Sequence, residues 1–99
     1  MRTTPFRQAE ALAAMTPAER ARFDAAEAEE EVRLQLAELV YAARTRAGLT
    51  QTELARRMGT QQSVISAVEN GGQVPSVSTL LRIAHALDLH LTIDMAAAS

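Results

Sequence analysis

Residues 51–71 read QTELARRMGTQQSVISAVENG, and the fold turns on how this stretch is parsed. Gly59 divides it. Before the glycine, TQTE at 50–53 offers Thr50 as N-cap and Glu53 three residues on, the reciprocal capping box that opens a helix, and QTELARRM directs Leu54, Ala55 and Met58 inward. After it, Val64, Ile65 and Val68 fall at spacings of one, three and four and share one helical face. Gln61, Gln62, Ser63, Ser66 and Ala67 are left to face elsewhere. A short helix with an apolar back and a front of amides, hydroxyls and a methyl group suits a partner that needs patterned hydrogen bonding.

Working outward, NGGQVPS marks a turn, and Ser76 can cap a helix through VSTLLRIAHAL. Upstream, TPAE at 16–19 supplies Thr16 as N-cap, Pro17 at the first helical position and Glu19 to complete a second capping box. No breaker follows until Gly48, so one helix is expected from Pro17 to Ala47. Its halves differ. Ala18, Ala21, Ala25, Ala28 and Val32 repeat at helical spacing but are too small for a strong core, whereas Val32, Leu36, Leu39, Val40 and Ala43 form an apolar stripe. The first half is therefore expected to project from the domain. Thr4-Pro5 opens a further short helix through Ala14. At the other end, LHLTIDM (89–95) alternates Leu89, Leu91, Ile93 and Met95 with His90, Thr92 and Asp94, the period of a half-buried strand. A lone strand cannot satisfy its backbone, and no other segment resembles a partner, so pairing with a second copy is expected.

Composition narrows the classes. With 99 residues, 20 alanines and three aromatic residues, the chain suits one small, mostly α-helical domain burying about 60–65% of its surface. Cysteine is absent, which removes disulfides and thiolate metal sites, and MRTTPFRQAEALAAM lacks the apolar core of a signal peptide. No membrane-length apolar run occurs. The reading is a cytoplasmic protein. The net charge of −2 argues by itself against nucleic acid, but the charges are segregated. Residues 1–31 carry four arginines against seven acids, five of them in DAAEAEEE (24–31), while residues 32–95 carry six arginines against five acids. Every basic residue is arginine, whose planar fork suits phosphate or carboxylate; arginine-rich coding would give the same usage.

QTELARRMGTQQSVISAVENG followed by PSVSTLLRIAHALDLHL resembles the Cro/cI-type, or XRE-family, helix-turn-helix DNA-binding domains over residues 33–91. Gln51 opening one helix, Ala55 at the tight crossing, Gly59 in the turn, Ile65 and Val68 in the core and ENG closing the next helix all sit where that pattern places them. The resemblance implies a lambda-repressor-like domain in which TQQSVISAV is the recognition helix. Gln61, Gln62, Ser63, Ser66 and Ala67 would read bases in a major groove, Gln62 suiting adenine and the Ala67 methyl a thymine methyl. Gln51 would touch phosphate and steady Gln62. Arg44, Arg46, Arg56, Arg57 and Asn70 are candidates for further phosphate contact, with a merely solvated helix face as the alternative for Arg56 and Arg57. Two positions depart from the pattern. Gln61 stands where a capping serine is common, so either Thr60 caps or the helix start frays, and Asp88 stands where glycine commonly ends the last helix.

The long N-terminal helix, the reader and the terminal strand together resemble HigA-type antitoxins of bacterial toxin–antitoxin pairs. That resemblance implies a homodimer that binds a palindromic operator, represses its own operon and neutralises a small basic RelE/HigB-like ribonuclease. Phe23, Asp24, Glu27, Glu29, Glu30 and Glu31 would meet the toxin. Leu89, Leu91, Ile93 and Met95 would form the dimer interface. The expected organisation is an acidic N-terminal extension (1–31), a helix-turn-helix domain with its dimer strand (32–95) and a flexible tail (96–99). The alternative is a stand-alone repressor of phage or host genes with the N-terminal helix as a dimer arm. An enzyme is not expected, nor a cofactor or metal: His85 and His90 are the only histidines, without a cysteine or acidic pair beside them, and Gly71-Gly72 is a turn rather than a phosphate loop.

Overall fold

The computed structural model describes residues 5–97, with side chains from residue 9 onward. Among them are five helices: α1 (Pro5–Ala13), α2 (Pro17–Arg46), α3 (Gln51–Met58), α4 (Gln62–Glu69) and α5 (Val77–Ala86). The chain divides into two units, Met1–Val32 and Arg33–Ser99.

In the first unit the α2 start forms as its sequence requires. The Glu19 N–H donates to Thr16 Oγ1 at 3.1 Å and the Thr16 N–H to Glu19 Oε1 at 3.0 Å. Pro17 occupies the position whose N–H would be unpaired in any case. From residue 9 to residue 32 no side chain is fully buried, and only Leu12, Met15 and Phe23 are half-buried. Arg20 and Asp24 pair at 3.5 Å with both partners exposed, a contact worth about 0.2–1 kcal/mol at most. Among its described side chains this unit shows helix-end chemistry and no fully buried residue.

The second unit has the core. Val40, Leu54, Ala55, Ile65, Val68, Ile83 and Leu87 are buried together, with Ala43, Leu49, Met58, Leu80 and Ala86 packed against them. Each fully buried large aliphatic side chain contributes about 1.5–3 kcal/mol. Local signals set the helix ends. Thr50 and Glu53 exchange both bonds of their capping box, at 3.0 and 2.9 Å, and Gly59 stops α3 in the left-handed region at φ 69°. Ser76 accepts from the Thr79 N–H to open α5. Asp88 ends the α5 turn at φ 59°, and the Leu89 N–H closes on the Ala84 carbonyl at 2.8 Å.

Three expectations are corrected. Residues 89–95 have no regular secondary structure, and no strand occurs among the described residues, because a strand is defined by a neighbour and this single chain offers none. Of the expected tail, residues 96 and 97 are exposed, and 98–99 lie outside the described residues. The inward face of α2 is also rotated. Ala37, Val40 and Arg44 are buried, while Val32 and Leu39 remain 47% and 52% exposed. Leu36 and Ala43 are half-buried beside Val40, and the inward face also takes in Arg44, which pairs with Glu69 at 2.7 Å. Finally, Gln61 itself is the N-cap of α4, in extended conformation and without a side-chain capping bond. Thr60 does not take that role.

Candidate nucleic-acid interface

The α3–turn–α4 unit presents an amide-rich front because its apolar residues face back. Ile65 and Val68 are buried, which leaves Gln61, Gln62 and Ser63 exposed at the start of α4 and Ser66 and Ala67 half-buried one turn on. α3 crosses behind them and brings its first residue, Gln51, beside the first residue of α4. Gln62 Nε2 donates to Gln51 Oε1 at 2.6 Å.

This contact is the outer end of a chain of bonds rooted in the core. Gln51 Nε2 donates to Glu69 Oε1 at 3.0 Å, and Glu69 receives a two-pronged contact from Arg44, with Nε on Oε2 at 2.7 Å and Nη2 on Oε1 at 2.8 Å. Arg44 Nη1 caps the Leu49 carbonyl at 2.7 Å, and the Tyr41 ring lies 5.4 Å from the guanidinium carbon. Burial pushes the Glu69 carboxyl up, but the hydrogen bonds from Arg44 and Gln51 and the Arg44 charge outweigh it and hold it below the ordinary value. The hydrogen bond to Glu69 raises Arg44. The pair is therefore ionised across the range in which the protein would work.

That geometry removes Arg44 from the phosphate set. Its side chain is buried and all three guanidinium nitrogens are engaged inside the protein, so none reaches out to a ligand. Arg57 is also placed away from the reading front. It stands six residues along α3 from Gln51, about 9 Å of helix rise, and leans on the Ala86 carbonyl at 3.4 Å. There it lines a notch of about 330 Å³ with Met58, Ser78, Leu81, Arg82 and His85, while Arg82 braces the Met58 carbonyl at 2.8 Å. Arg46 and Arg56 are exposed. Asn70 spends its carbonyl oxygen on the Gly72 N–H at 2.7 Å, shaping the turn after α4.

Glu69 is the site residue that sequence reading missed. A signal existed: Arg44 follows Val40 by four residues and Glu69 follows Ile65 by four, so charges of opposite sign extend two inward-facing rows. Of the expected dimer residues, Leu89, Ile93 and Met95 are 52%, 65% and 94% exposed, and Leu91 is half-buried. Leu89 and Leu91 line a small apolar groove with Leu39, Leu80, Ile83 and Leu87. Asp24, Glu27, Glu29, Glu30 and Glu31 are exposed on α2 and Phe23 is half-buried. His85 and His90 are exposed; no group of three metal-ligating side chains occurs among the described residues, and none of their helices is long and apolar enough to cross a membrane.

The helix-turn-helix family profile matches residues 40–93. Antitoxin HipB of Escherichia coli O6:H1 is 37% identical over 59 residues, covering 60% of this chain and 63% of that protein. Antitoxin HigA1 of Mycobacterium tuberculosis is 40% identical over 57 residues, 58% of this chain and 38% of that protein. The ImmF control region 10 kDa protein of Bacillus phage phi105 is 42% identical over 45 residues, 46% of this chain and 50% of that protein. The chain thus spans between 38% and 63% of the length of these relatives. Among solved structures, a HipB–O2 20mer complex superposes with a TM-score of 0.57 at 34% identity, covering 66% of this chain and 90% of that one. The family match begins within α2 and does not reach residues 1–39.

Proposed function

Because this chain belongs to the helix-turn-helix family, we propose that it is a sequence-specific DNA-binding antitoxin that represses its own operon as a dimer and neutralises a small basic RelE/HigB-like ribonuclease. The observation that carries the DNA-binding half is the exposed Gln62 amide at the start of α4, held by Gln51. Gln61, Gln62, Ser63, Ser66 and Ala67 read base edges, with Gln62 on adenine. Gln51, Arg46, Arg56 and Asn70 are the phosphate contacts, which set register and affinity. Arg57, which leans on the Ala86 carbonyl away from Gln51, is the weakest further candidate.

The dimer forms through residues 89–95. Leu89 and Ile93 are apolar and exposed in the single chain, and beyond the Leu89 N–H, which closes on Ala84, the backbone of this segment would be satisfied by antiparallel pairing with a second copy. Two reading helices would then sit about 34–36 Å apart on a palindrome. The antitoxin half is supported by the relatives named HipB and HigA1, and by the solvated acids from Asp24 to Glu31, whose charge suits a basic partner. The phi105 relative favours the second reading, a stand-alone repressor with the first unit as a dimer arm.

Removing residues 1–31 separates the two. The antitoxin reading expects operator binding to persist and toxin rescue in cells to vanish; rescue without those residues, or operator binding lost with them, moves the assignment to the repressor. Within the DNA-binding half, Gln62→Ala should lower operator affinity and leave scrambled DNA nearly unaffected in salt-titrated binding. Equal losses on both DNAs would overturn the base-reading role.

A further inference from the structure

Arg44, Glu69, Gln51 and Gln62 form a chain in which every hydrogen bond has a direction. Arg44 only donates, and an ionised Glu69 only accepts. Gln51 must therefore turn an amide N–H toward Glu69, at 3.0 Å, which leaves its carbonyl oxygen for Gln62. Gln62 must then donate to that oxygen, as it does at 2.6 Å. The two ends of an amide are nearly identical in shape, so packing alone would not choose between them; the carboxylate does.

We infer that Glu69, anchored by Arg44, is a specificity-determining positioning residue that acts through Gln51 to fix which way the Gln62 amide faces. In the major groove adenine offers an acceptor at N7 and a donor at N6, whereas guanine offers acceptors at both N7 and O6. Gln62 has two N–H groups and gives one to Gln51. The remaining N–H and the carbonyl oxygen match adenine, and the same oxygen opposes guanine O6. With the chain reversed, Gln51 would donate to the Gln62 oxygen, both Gln62 N–H groups would be free, and guanine would fit. Phosphate reinforces the native direction, since the second N–H of Gln51 is a donor that a phosphate oxygen accepts. The inference rests on the reading of α4 as a base-reading helix and adds the reason its glutamine is read in one sense only.

The test is selection from random duplex DNA with the full chain and two variants, followed by competition between operators carrying adenine or guanine at the position that Gln62→Ala makes degenerate. The wild type is expected to prefer adenine by about ten- to hundred-fold. Glu69→Gln, whose amide can donate or accept, should bring that ratio within a few-fold of one. Gln51→Lys keeps an ionic contact with Glu69 but can only donate to Gln62, so it should favour guanine while raising affinity for all DNA through its added charge. This second variant leaves the Arg44–Glu69 pair intact and remains informative if Glu69→Gln does not fold. A wild type that enriches no sequence overturns the reading of α4 itself. A wild type that enriches adenine while Glu69→Gln keeps the full adenine preference overturns the role of Glu69, and a Gln51→Lys that keeps it to the same degree overturns the directional chain through which Glu69 would act.

Discussion

The two helices of the turn both begin with glutamine, and they begin differently. Ahead of Gln51 stands Thr50, which satisfies the Glu53 N–H and is satisfied in return; ahead of Gln62 stands Gln61, which makes no side-chain capping bond. The first start is finished inside the protein. The second has only the backbone bond from the Val64 N–H to the Gln61 carbonyl at 3.0 Å, and Gln62, which follows, ties its side chain to Gln51 rather than to its own helix. The hydrogen bonds from Glu69 through Gln51 to Gln62 join the capped helix to the uncapped one.

Breaking the tie should have the largest effect. Arg44→Met strips Glu69 of its cation while keeping it buried, and removing one partner of such a pair costs about 3–5 kcal/mol. Denaturant unfolding should show most or all of the cooperative transition lost, and the difference between the two starts would disappear with it. Acid comes next. Glu69 and Glu53 both have lowered carboxyl pKa values, Glu53 through the Thr50 backbone bond first and the Thr50 hydroxyl second. For a lowered pKa the stabilisation is complete above the unfolded value of about 4.3 and is lost as pH falls through the folded one. Melting scans should therefore show a full and constant contribution from these groups between about pH 7 and pH 5.5 and a growing loss below about pH 4.3.

Removing the α3 cap is a smaller change. Thr50→Ala should cost about 1 kcal/mol, a fall in Tm of about 4–8 °C, and should flatten part of the acid-side loss by relieving Glu53. Supplying the missing cap is the smallest. Gln61→Ser gives α4 the acceptor that α3 has and should raise stability by about 0.5–1 kcal/mol in the same scans. A neutral or negative result would mean that Gln61 is held by something other than its cap position.

Local chemistry explains what the sequence made legible. Capping boxes at Thr16 and Thr50, the Ser76 cap and the left-handed Gly59 are each decided within four residues, and α2 was expected at 17–47 and is found at 17–46. Apart from the cap of α4, which falls on Gln61 rather than Thr60, the misses are non-local. Leu39 reads as a core residue because α2 carries overlapping stripes, and the burial of Ala37, Val40 and Arg44 depends on partners that lie beyond α2, among them Glu69 twenty-five residues after Arg44. The same distance hid the true work of Arg44, which a charge tally assigns to phosphate. LHLTIDM alternates as a strand does, yet alternation specifies a readiness to pair and not a pair.

Asp88 holds a further consequence. Its backbone is the one non-glycine among the described residues with positive φ, and it sets the heading on which residues 89–95 leave α5. If two copies join through that segment, as proposed, this dihedral acts like the set-screw of a pair of calipers, one of the angles on which the span between the two reading heads depends. Operator spacing is then adjustable without altering any letter read by α4. Glycine, which takes the same angle without the roughly 1–2 kcal/mol that a side chain adds there, would loosen the screw and admit half-sites set at more than one distance.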